Sequence, residues 1–71
     1  MKTITNMNQM IINEIESEIS LLKKGILYCE EMIKEASSIN EKWAVKEYQQ
    51  VISDDETLIT SLSKILSDIN K

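Results

Sequence analysis

Few groups in this chain have chemical reach. Six glutamates, Glu14, Glu16, Glu18, Glu30, Glu31 and Glu35, stand in its first half, and carboxylates in such numbers suit acid/base work or metal binding. A di-iron bundle also needs Glu-x-x-His pairs, and the chain has no His. These glutamates therefore read as solvated helix faces, with no metal and no cofactor expected. Cys29 is the single cysteine, with no adjacent cation to activate its thiol, and reads as a packing residue. Neither Ser-His nor Cys-His catalysis can be assembled, nor an intramolecular disulfide. Two short pairs keep a binding chemistry. Trp43 follows Lys42, and an indole beside an ammonium at a helix start suits a nucleobase and a phosphate, although on residues alone a plain cap on the hairpin's open end is the favoured reading of Trp43. Ser63 precedes Lys64, setting a hydroxyl beside a cation.

Only a small frame can position these groups. The chain has 71 residues, one Gly, no Pro and three aromatic residues, with 42% hydrophobic and 28% charged residues. That allows one compact unit and argues against a turn-dense β fold. The net charge is −4, and each half carries four Lys and six acids, so no basic arm or acidic tail exists. Duplex nucleic acid and anionic membranes are accordingly poor partners. Every cation is Lys, which leaves point charges rather than the planar guanidinium fork for holding phosphate. Residues 1–10 contain no long apolar run, so neither a signal peptide nor a spanning helix is expected there. A free thiol suits a reducing compartment, and a cytoplasmic location is the expectation.

Apolar residues recur at helical spacing. Ile12, Ile15, Ile19, Leu22, Ile26, Cys29, Ile33 and Ala36 alternate three- and four-residue steps, a heptad seam that predicts a first helix over about residues 8–36. Asn6 with Gln9 predicts a capping box at its start. Ser37 to Asn40 interrupts the pattern, and Ser38 with Glu41 forms another capping-box pattern, so a turn is expected over 37–40. A second helix over about 41–70 follows from Val45, Tyr48, Ile52, Ile59, Leu62, Leu66 and Ile69, with Ala44, Val51, Leu58 and Ile65 widening the stripe. The fold class is all-α, a long antiparallel helical hairpin within a single domain, 1–71. Ser53 with Glu56 leaves open a break that would give three helices; the unbroken hairpin is the expectation.

Antiparallel pairing about that turn makes residues whose numbers sum to about 78 face each other. Asp54, Asp55 and Glu56 then oppose Lys23 and Lys24 as an ion-pair layer, and Tyr28 meets Tyr48. Gly25 costs roughly 1 kcal/mol relative to Ala in mid-helix, and is either a close approach of backbone or a surface position. Met10, Ile11, Leu21, Leu27, Met32, Leu58 and Ile65 fall off the seam, and so small a domain is marginal with that surface in water. Assembly into a homo-oligomeric bundle, with pockets between subunits, is expected.

Three segments, Ile12-Asn13-Glu14-Ile15, Glu41-Lys42-Trp43 and Ser61-Leu62-Ser63-Lys64, resemble landmarks of the hairpin domain shared by phage anti-CBASS and anti-Thoeris sponge proteins. The resemblance covers most of residues 11–67, with each arm about four residues longer than the family pattern, close to one helical turn. Ser63-Lys64 stands for a Thr-Arg pair, Lys42 for an Arg, and Glu16 where a Lys often follows the Asn-Glu-Ile run. The resemblance implies a non-enzymatic phage protein that sequesters a small nucleotide signal, a cyclic oligonucleotide or cyclic ADP-ribose isomer, in the host cytoplasm. It implies ligand-binding roles for Lys42 and Lys64 toward phosphates, Ser63 as donor, Asn13 toward base or ribose and Trp43 as stacking surface. An alternative from the residues alone is a coiled-coil adaptor or antitoxin-like module that binds a host protein through its apolar helix face; a structural spacer is a further one.

Overall fold

The structure is a computed structural model that describes residues 2–69, with side chains from residue 7 onward. Two helices account for it: α1, Lys2–Ser38, and α2, Lys42–Ile69. They fold back as a hairpin with Cα extents of 58 × 15 × 11 Å. No helix among the described residues is long and apolar enough to cross a membrane.

The predicted seam forms the contact between the helices. Among the described residues, Cys29 and Ala36 on α1 and Ala44 on α2 are the buried side chains, at 6%, 6% and 7% exposure. Ile12, Ile15, Ile19, Leu22, Ile26 and Ile33 on α1, and Val45, Tyr48, Ile52, Ile59, Leu62, Leu66 and Ile69 on α2, are half-buried. A two-helix layer covers only one side of each side chain, which is why nothing bulky is enclosed. α2 runs unbroken past Ser53. There the Thr57 hydroxyl donates to the Ser53 carbonyl and the Thr60 hydroxyl to the Glu56 carbonyl, each at 3.0 Å, so these polar side chains are satisfied on the helix itself.

The turn is shorter than expected and lies later in the chain. Asn40 has φ 61°, a left-handed conformation that Asn tolerates better than most residues. Around it the Glu41 N–H donates to the Ala36 carbonyl at 2.9 Å and the Asn40 N–H to the Ser37 carbonyl at 3.2 Å. This is the Schellman arrangement, which ends a helix by satisfying its last carbonyls. α1 therefore reaches Ser38, not Ala36. Ser38 is not an N-cap: its hydroxyl donates back to the Glu35 carbonyl at 2.7 Å. Glu41 opens α2 instead, its carbonyl accepting from the Ala44 and Val45 N–H groups at 3.1 and 3.3 Å. At the other end α1 begins by Lys2, ahead of the expected residue 8. Gln9 donates to Asn13 Oδ1 at 2.9 Å, spending its amide forward along the helix; the Asn6 side chain and Asn70 lie outside the described residues. Replacing Asn40 by Ala is expected to cost about 1 kcal/mol and replacing it by Gly less than about 0.5 kcal/mol. Urea unfolding followed by circular dichroism ranks the two, and the reverse ranking would contradict the left-handed turn.

Moving the turn moves the register. Gly25 is half-buried, and a Cβ built on it would lie 3.7 Å from Asp55 Oδ2, so facing residues sum to about 80 rather than 78. The expected layer of Lys23 and Lys24 against the acidic run is displaced accordingly. Asp55 lies half-buried against Gly25, while Asp54 accepts from Gln50 at 3.0 Å on its own helix. Gly25 thus meets a carboxylate, neither backbone nor bulk water. The tyrosines part as well: Tyr48 lies in the seam, and Tyr28 is 60% exposed outside it.

With the seam residues at heptad positions a and d, the two broad sides of the hairpin differ. One side carries the e positions, among them Glu16, Lys23, Glu30 and Ser37 of α1 and Lys42, Gln49, Glu56 and Ser63 of α2, all exposed. The other carries the c and g positions. Here α2 presents Val51, Leu58 and Ile65, and α1 presents Met7, Ile11, Leu21, Tyr28 and Ile39, all exposed. An antiparallel pair sets g beside g and e beside e, so these apolar side chains share one face along the rod, interrupted by Glu14, Glu18 and Glu35 of α1 and bordered by Glu47, Asp54, Ser61 and Asp68 at the c positions of α2.

Candidate functional site

The five residues singled out from the sequence do not meet in one chain. Lys42 and Trp43 open α2 beside the turn, whereas Asn13, Ser63 and Lys64 lie toward the open end. Twenty residues of helix separate Trp43 from Ser63, a distance of about 30 Å at 1.5 Å per residue. No small nucleotide spans that. All five are exposed, Trp43 at 68%, and Asn13 Oδ1 is already engaged by Gln9.

What the fold does build is a groove at the turn. Ala36, Ser37, Asn40, Glu41, Lys42, Val45, Lys46 and Gln49 line an open depression of about 380 Å³. Its construction follows from the turn: the Schellman reversal at Asn40 lays the last turn of α1 against the first turn of α2. Lys42 and Lys46, four residues apart, then share one flank of α2. Ala36 and Val45 form its floor, while Ser37, Asn40 and Gln49 supply hydroxyl and amide groups. In the first turn of α2 the Lys42 N–H donates to the Asn40 carbonyl at 3.1 Å and the Ala44 and Val45 N–H groups to Glu41, so it is the positive end of the helix dipole that favours an anion there. Glu41 is the sole carboxylate in the lining and opposes that charge.

A second depression of about 420 Å³ adjoins it, lined by Trp43, Lys46, Glu47, Gln50 and Val51. Lys46 borders both, so one ammonium stands between an apolar-floored groove and an indole face. Lys42 and Trp43 were legible as a pair in the sequence; Lys46, Gln49, Ser37 and Asn40 were not. The signal for Lys46 was its four-residue spacing from Lys42. Ser37 and Asn40 join only because of where α1 stops.

At the open end Glu14, Ile15, Ser17, Glu18 and Leu62 line a further groove, and its two charged side chains are acidic. Neither Asn13 nor Ser63 nor Lys64 contributes to it. Among the described residues no group of three or more His, Cys, Asp or Glu is arranged to hold a metal ion, and Cys29 is a buried free thiol within the seam. No protein-family model, curated protein or solved structure matches the chain.

Proposed function

We propose that this protein is a non-enzymatic sponge that binds and sequesters a small, phosphate-bearing nucleotide, in keeping with the resemblance to phage counter-defence hairpins. The observation that carries the reading is the turn groove, where Lys42 and Lys46 sit at the positive end of α2 with Trp43 on the adjoining depression. Phosphate takes the two ammonium groups; the base lies on the exposed indole. Sequestration needs tight binding and slow release and no bond making, which fits a chain without a catalytic constellation. The groove is complete within one chain, so ligand binding does not wait on the homo-oligomer. Self-association is a separate proposal about the apolar face, on the other side of the rod from Lys42.

A panel of cyclic di- and trinucleotides and cyclic ADP-ribose isomers tests this by thermal shift. A true ligand raises the melting temperature with concentration, because it binds the native state alone. The double variant Lys42→Ala/Lys46→Ala is expected to weaken that ligand at least tenfold while keeping the helical signal. An unshifted melting curve across the whole panel would rule the sponge out.

A further inference from the structure

The side opposite the lysine groove is an unfinished interface, and its amino-acid pattern says what completes it. Among the described residues, eight of the eleven large hydrophobic side chains left exposed fall in the c and g columns of one face, Val51, Leu58 and Ile65 at 44%, 46% and 46% exposure among them. The chain presents 5723 Å² to solvent at 8.2 kDa, where a folded monomer of that mass presents about 4,500 Å². Side chains of this size at such exposures offer roughly 100 Å² each, and eight give roughly 800 Å² per copy, one partner's share of a standard stable interface. Apolar residues at a, d and g on both helices are also the pattern of a helix that lies in a bundle of more than two.

From this we infer that the face is covered by a second copy of the chain, the two hairpins stacking into a four-helix bundle about a two-fold axis that crosses the rods near Gly25. Gly25 lies near the middle of the apolar column of α1, and the missing side chain lets two α1 helices approach closely. A crossing axis there sets Leu21 of one copy against Tyr28 of the other, and Ile11 against Ile39. An axis along the rods would instead set Leu21 and Tyr28 against Ser61 and Asp54, apolar on polar. The half-buried Asp55 of each copy then lies near the centre.

The rim supplies a second signature. Glu14, Glu18 and Glu35 of α1 and Glu47, Asp54 and Asp68 of α2 stand at c and g positions of this same face, while Lys23, Lys24, Lys34, Lys42, Lys46 and Lys64 lie outside it. Pairing the faces brings like charges together, so added salt strengthens the dimer by screening them. The groove lined by Lys42 and Lys46 stays open on the outside of the bundle, whereas the adjoining Trp43 depression shares Glu47 and Val51 with the paired face.

Sedimentation equilibrium of the full chain between about 1 and 200 μM, at low and high NaCl, reads the association directly and without any nucleotide. Expected is a dimer that tightens as salt rises. Leu58→Asp should weaken it at least 100-fold with the helical signal retained, since Leu58 is exposed in the single hairpin, and Leu27→Asp on the back of α1 should leave it unchanged. Gly25→Cys in a Cys29→Ala background should oxidise to a covalent dimer, because the two positions meet at a crossing axis. A chain that stays monomeric at 200 μM, or a dimer indifferent to Leu58→Asp, overturns the inference and leaves the acid-rimmed face to a basic helix of another protein. A dimer in which Gly25→Cys does not cross-link overturns the orientation.

Discussion

Ile52→Asp is expected to abolish the cooperative unfolding of the hairpin. Ile52 sits in the seam of α2 one turn before Asp55, and both are half-buried. Losing an isoleucine there forfeits part of the 1.5–3 kcal/mol that full burial is worth. The new carboxylate would also stand beside an existing one in a partly desolvated seam, with no cation facing it. Together these amount to about 3 kcal/mol or more. At roughly 0.05–0.15 kcal/mol per residue, a chain of 71 residues has about 4–10 kcal/mol in all. The variant should lose most of its ellipticity at 222 nm and melt without a sigmoid. Unfolding within about 0.5 kcal/mol of the parent would mean that the helices do not depend on each other.

The opposite substitution at the neighbouring seam position is expected to stabilise. Asp55→Leu completes the apolar row between Ile52 and Ile59, and half-burial of a leucine is worth about 1–1.5 kcal/mol. Space exists for it: a Cβ at Gly25 would find only Asp55 Oδ2, at 3.7 Å. In a domain this small that raises the melting temperature by about 5–10 °C. Asp55→Asn is the control, since it removes the charge and keeps the polarity, and it should recover little of the gain. A fall in melting temperature for Asp55→Leu would show that the carboxylate stabilises the seam. The stability given up at Asp55 has a counterpart in specificity. Only in the observed register does Asp55 meet the one residue without a side chain, and a heptad slip would set it against Glu18 or Met32 instead, the kind of constraint a polar seam residue imposes on a coiled coil.

The helices and their seam were legible because a long apolar period needs no tertiary information. Every seam residue named from spacing is half-buried or buried. The turn was misplaced because Ser38 and Glu41 match a helix start, while the same residues match a helix end as well, and the left-handed Asn40 decides between them. That displacement, small in sequence, changed which residue Asp55 faces. The apolar face was half visible: Val51, Leu58 and Ile65 stood out as a column widening the stripe of α2, and Ile11, Leu21 and Met32 as residues off the seam of α1. Their union needed the pairing of g with g, a property of the hairpin and not of either helix. For the candidate site, Lys42 and Trp43 follow from adjacency, but distance along the rod separates them from Asn13, Ser63 and Lys64, and periodicity contains no such distance.

Closure at one end alone has a kinetic meaning. The layer at Ala36 and Val45 joins residues a few positions apart, and the layer at Ile12 and Ile69 joins residues across most of the chain. Loop entropy grows only slowly, by about 0.6 kcal/mol per doubling, so each layer costs little once its inner neighbour has formed. The rod is therefore expected to zip from Asn40 outward. The lysine groove, beside the first tooth of that zipper, is expected to be the earliest part of the molecule to form.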